Sequence, residues 1–290
     1  SATVFIPVVV PPPFVPLGAA ESHGILAGTA ITCINNGLIS ADVSLAAGLL
    51  KTANSAYFGI PAKVGSVRQA VILLGLKRLV QMVIAACTSA IMDRGVPGYD
   101  LPAGDLWRHS LAVSVAAEGL ARELKMESAE EIFTAALLHD VGKLILGQFV
   151  QDDYGKIEMA LAQGLPFETA ESIVLGTDHA AVGAEVLSKW SLPAGIVHAV
   201  RWHHVPEKAA RVDPMLDVVH VANVLCLMIG IGVGREGLQH EPSSVVTRRL
   251  GLGNTHLEKV ASQTLQWANE LSLAMAAPFR RVVERLLTES

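Results

Sequence analysis

His139 and Asp140 stand side by side in FTAALLHDVGKLIL, a stretch that is otherwise almost wholly apolar. Imidazole nitrogen and carboxylate oxygen are donors that suit iron, manganese or zinc. Two such groups inside an apolar helix are costly unless something satisfies them. Further donors are strung along the chain around this pair. Asp105 and His109 lie one turn apart on an expected helix and share a face. His179 opens HAAVGAEVLSKW, and His203 and His204 close AVRWHH. Any one of these histidines alone reads as a hydrogen-bonded core residue, and His23, His198, His240 and His256 are assigned nothing more. The ordered set H…HD…H…HH points instead to a site for one or two transition-metal ions, iron or manganese by its donors. Asp105, an acid at a helix start, also reads as a cap and dipole partner. Lys143 reads either as a solvated surface lysine or as a group reaching a phosphate beside the metals.

The elements that must hold these residues are helices. The 290-residue chain is 51% apolar but only 5% aromatic, and Ala, Leu and Val dominate. Ala and Leu favour helices, whereas strands prefer aromatic and β-branched residues. Residues 1–40 are expected to be irregular, because Pro7 and the Pro11–Pro13 run forbid a continuous helix. Ser44 can cap a first helix, and Ser66 begins SVRQ, a capping-box pattern with Gln69. The apolar helix that follows carries Lys77, Arg78 and Gln81 on its expected wet face. The Gly/Pro/Asp-rich RGVPGYDLPAGD marks a boundary near residue 98. Beyond it, helices are expected at about 105–125, 129–148, 153–163, 167–174, 179–190, 193–203, 214–231 and 255–287. The expected units are therefore 1–40, 41–98 and 99–290.

Composition also excludes some functions. A net charge of −5 gives no general attraction to nucleic acid. The apolar runs at 71–92 and 216–233 are interrupted by charged and polar residues, so no membrane span is expected. Three scattered cysteines (Cys33, Cys87, Cys226) form no pair motif and fit a reducing cytoplasm.

Several motifs carry a resemblance. LLHDVGKL resembles the signature of the HD superfamily of metal-dependent phosphohydrolases. SLAAGLLKTANSAYFGIPAKVGSVRQAVILLGLKRL is similar to the opening of HDOD domains, the HD-related output domains of bacterial signalling proteins. LWRHSLAVSVAAEGLA, HAAVGAEVLSKWSLP and VVHVANVL are similar to later HDOD segments. The resemblance spans about residues 40–235. It implies an all-α, HD-domain-like helical bundle with an N-terminal helical subdomain. It also implies metal ligands at His109, His139, Asp140, His179, His203 and His204, with Asp105 matching an acid found in some cyclic-dinucleotide phosphodiesterases and Lys143 a lysine of the same enzymes.

Two departures bear on activity. The last ligand of the HD family is an aspartate in a VADV-like segment, and here that position holds Asn223. The Gly-Tyr-Pro motif that follows HH in the phosphodiesterase subgroup is missing from WHHVPEKAARVDP. The expectation is a signal-transduction output module with an HD-type metal site and without strong hydrolase activity. Its partners would be signalling proteins, with a nucleotide or phosphate as a conceivable ligand. The alternatives are a metal-dependent phosphohydrolase acting on a nucleotide and an inert helical interaction domain.

Overall fold

The computed structural model describes residues 43–61, 63–236 and 241–288. The segment expected to be irregular, along with His23 and His240, lies outside the described residues. Within them every regular element is a helix, and the only pairing of strand type is an isolated bridge between Val96 and Leu101.

The chain begins with α1 (Val43–Ala53) and α2 (Val67–Met92). Ser66 caps α2 as expected, its hydroxyl accepting from the Gln69 backbone N–H at 3.1 Å. The returning bond from the Gln69 side chain goes to the N–H of Gly65, one residue before the box position. Gly75, at φ 79°, kinks α2, where the sequence suggested one continuous helix. The expected wet face is also only partly wet. Lys77 is exposed, but Gln81 is buried and Arg78 reaches inward to Glu118. An internal carboxylate turned what looked like a solvent-facing arginine into a core partner.

Four helices surround α3 (Asp105–Glu123). These are α4 (Ala129–Leu138), α10 (Pro214–Met228), the long α12 (Asn254–Thr288) and, less closely, α2. α12 also lies along α1 and α2, so the C-terminal helix ties the first two helices to the rest. The other elements are α5 (Lys143–Asp152), α6 (Tyr154–Leu161), α7 (Phe167–Leu175), α8 (His179–Lys189), α9 (Ala194–Trp202) and α11 (Ser244–Leu250). The sequence reading missed α11, which is short and rich in β-branched residues. The stretch Ala129–Asp152 is long and apolar enough to cross a membrane, yet 78% of its most apolar window is buried among the other helices.

The most consequential difference lies between α4 and α5. The sequence suggested one helix over 129–148, but the chain turns at residues 139–142. Gly142 is the reason. A Cβ placed there would sit 1.9 Å from the carbonyl oxygen of His179 and 2.7 Å from the Gly183 nitrogen. Only glycine lets this turn pack directly on the start of α8. His139 and Asp140 therefore sit at a corner and not in mid-helix, facing the first residue of α8.

Candidate metal centre

Six helix ends or faces deliver the cluster. His109 comes from the second turn of α3, His139 and Asp140 from the corner after α4, and Lys143 from the first residue of α5. His179 opens α8, where Asp178 caps the helix by accepting from Ala181 N–H at 2.7 Å. His203 and His204 follow α9, and Asn223 lies mid-way along α10. Asp140 stands at the centre. Its Oδ2 is 3.2 Å from His139 Nε2 and 3.6 Å from His109 Nε2. Its Oδ1 is 3.4 Å from His179 Nε2 and 3.7 Å from His203 Nε2. Two donor groups share this carboxylate: His109 and His139 on one side, and His179, His203 and His204 on the other.

The backs of the rings fix what their fronts can do. His109 Nδ1 faces the Ile231 carbonyl at 2.9 Å, His139 Nδ1 that of Ala136 at 2.7 Å, and His203 Nδ1 that of Val200 at 2.8 Å. His179 Nδ1 faces the Glu171 carboxylate at 2.7 Å. A carbonyl or carboxylate only accepts, so each Nδ1 carries the proton. In the neutral ring, each Nε2 then presents a lone pair to Asp140. This is how metal-binding histidines are held: an outer acceptor sets the tautomer and aims the other nitrogen. Gly232, at φ 72°, lets the Ile231 carbonyl approach His109, since a Cβ there would lie 2.4 Å from His109 Cβ.

Lone pairs and an anion crowded together without a cation are unfavourable in a dry interior. Buried His139 Nε2, His203 Nε2 and Asp140 Oδ1 have no hydrogen-bond partner. His179 and His204 meet Nε2 to Nε2 at 2.8 Å, a contact that requires a shared proton or a shared cation. The electrostatics agree. Burial alone would lower the pKa of His179, but the Glu171 carboxylate pushes it up to about 10. Burial and the neighbouring His139 hold His203 well below the usual histidine range, and burial and His203 do the same to His204. Burial works against the Asp140 anion, yet the charges of His139 and Lys143 keep it well below the ordinary carboxylate range. The donor set and its orphaned atoms fit a metal ion.

Lys143 is not at the surface. It is 2% exposed, and its Nζ lies 2.8 Å from Asp140 Oδ2 and over the Tyr99 ring. Asn223 turns into the cluster and sits 3.0 Å from His109 Nε2. Asp105 does not join it, for its carboxylate pairs with Arg108 at 2.8 Å on the outer side of α3. The sequence reading missed two supporting residues, Glu171 and His220. Glu171 is fully buried behind His179 and accepts from the Tyr99 hydroxyl. His220 donates from Nδ1 to the His203 carbonyl at 2.8 Å and accepts from Ser243 N–H, pinning the HH turn from behind. Only His220 left a signal, as an imidazole in the apolar VVHVANVL one turn before Asn223.

The chain is similar to several known proteins. The family model "HDOD domain" matches residues 31–206. An uncharacterized protein of Treponema pallidum (strain Nichols) is 26% identical over 190 residues, 64% of this chain but only 36% of that protein. The chain thus spans about a third of the length of that relative. A solved structure of a candidate signal transduction protein from Marinobacter aquaeolei VT8 superposes with a TM-score of 0.66 at 18% identity, covering 92% of this chain and 60% of that one. A candidate phosphohydrolase from Shewanella amazonensis SB2B gives 0.64 at 21% identity, covering 88% and 93%.

Proposed function

The chain belongs to the HDOD domain family, and from that premise we propose that it is a signal-transduction output module. Its His/Asp centre would hold iron or manganese for structural or sensory purposes and not for rapid hydrolysis. The burial of the cluster carries this reading. His139 and His203 are 0% exposed, Asp140 1% and His109 2%. Of the cluster only His204 is partly exposed, which leaves a phosphodiester a narrow approach to a metal-bound water. A surface groove of about 480 Å³ does run along α8 and α9, but it is lined by Glu185, His198, Arg201 and Trp202 and by none of the cluster residues.

His109, His139, Asp140, His179, His203 and His204 are the residues that would hold metal. A bound ion would supply Lewis acidity and a lowered pKa for a coordinated water. The chain's own residues set the rest. Carbonyls and Glu171 fix the ring tautomers, the surrounding apolar helices exclude water, and Lys143 holds a positive charge against Asp140 Oδ2.

The carboxylate shared between two donor groups is what favours the second reading, a metal-dependent phosphohydrolase. Two measurements separate the readings. Elemental analysis of the purified protein is expected to find iron or manganese, and Asp140→Ala is expected to remove it. Release of product from cyclic dinucleotides, assayed with each metal supplied, is expected to be negligible. Turnover on the order of 1 per second, an ordinary enzymatic rate, would overturn the output-module reading. A wild-type chain that binds no metal would overturn the centre itself.

A further inference from the structure

The two sides of Asp140 are not equivalent. On the His109 side, the protein has already used most of the donors. Lys143 Nζ takes Asp140 Oδ2 at 2.8 Å. His109 Nε2 meets the Asn223 amide at 3.0 Å. That contact consumes the nitrogen in either amide orientation, since Oδ1 accepts from a charged ring and the NH2 donates to a neutral one. Only His139 Nε2 remains there with no partner. One donor does not make a site.

The opposite side leaves two donors unpartnered and pairs the other two only with each other. Asp140 Oδ1 and His203 Nε2 have no hydrogen-bond partner, and the Nε2 atoms of His179 and His204 face one another at 2.8 Å. His179 and His203 Nε2 lie 3.4 and 3.7 Å from Oδ1. Donors that share one ion at roughly 2.0–2.2 Å each sit about 3 Å or slightly more apart, so this spacing already fits. Glu171, buried behind His179, puts a second carboxylate on this side only.

We infer that the centre is built for a single cation, held by Asp140 Oδ1, His179, His203 and His204, and that the Lys143 ammonium and the Asn223 amide stand in for a second ion on the His109 side. The inference rests on the metal-centre reading above and goes further by assigning the ion's place and count. Lys143 is then an internal counter-charge and not a phosphate contact.

The test is Mn²⁺ binding to the full chain by equilibrium dialysis, with circular dichroism confirming that each variant is folded. The expected result is one ion in the wild type, one in His109→Gln and fewer than 0.1 in His203→Gln, each roughly a whole-site effect. The Asn223→Asp/Lys143→Met double variant restores a carboxylate and frees Oδ2, and is expected to hold two. If the histidine variants do not fold, the double variant against wild type decides alone. Two ions in the wild type, loss of the ion in His109→Gln with retention in His203→Gln, or an unchanged count of one in the double variant would each overturn this assignment while leaving a metal centre in place. No ion in the wild type would overturn both.

Discussion

Two of the buried carboxylates, Glu118 and Asp140, have opposite surroundings. Glu118, on α3, accepts from the Tyr57 hydroxyl, from Arg78 on α2 and from Arg122 at 2.8 Å. Its charge is met by two guanidinium groups and both of its oxygens are engaged. Asp140 is surrounded by the Nε2 atoms of four imidazoles, and one of its oxygens has no partner. A self-sufficient cluster needs nothing further and serves packing. A cluster with orphaned acceptors around an anion needs a cation, and marks the place where the sequence gives up stability for a site.

The largest effect is expected at Glu118. Glu118→Ala would strand two arginines and a tyrosine hydroxyl at the junction of α1, α2 and α3. The expected loss is about 3 kcal/mol, the low end for a broken buried pair because Arg122 is half exposed. Thermal melting and denaturant titration measure it, and metal content should be unchanged. Asp140→Asn/Lys143→Met should behave in the reverse way. It removes the anion that gathers the imidazoles together with the buried ammonium paired to it, so metal should be lost while stability in chelator falls by about 1 kcal/mol or less, or even rises, as expected when both members of a buried ion pair are replaced. A large destabilisation in chelator would mean that Asp140 is a structural partner like Glu118.

Gly142→Ala sharpens the contrast between backbone and side-chain causes. The new Cβ meets the His179 carbonyl, a backbone atom that cannot swing aside. It should cost about 2–3 kcal/mol by overpacking and lower metal content together with stability. Ser66→Ala should have the smallest effect. It removes one exposed helix cap, for a loss of about 1 kcal/mol with no change at the centre.

The ligand types were readable because chemistry selects them: an HD pair in an apolar run and an HH pair closing a helix announce themselves in one dimension. Asn223 could be placed only through the resemblance, and its amide does face His109. Glu171 could not be found, because FETAESIVL reads as an ordinary amphipathic helix with several acids. Only the packing of α7 against the start of α8 buries this one and not Glu168. The corner at 139–142 was hidden for a similar reason. Gly142 breaks an apolar periodicity only because α8 lies against it, a long-range contact that local propensity does not encode. Arg78 and Gln81 misled in the other direction, as polar residues whose partners lie on another helix.

The most direct test of the central claim is anomalous diffraction at the manganese edge from crystals of the wild-type chain grown with Mn²⁺. One strong peak per chain is expected, between Asp140 Oδ1 and His203 Nε2. Contradiction would be no peak at all, with His139 and His203 Nε2 hydrogen-bonded to ordered water.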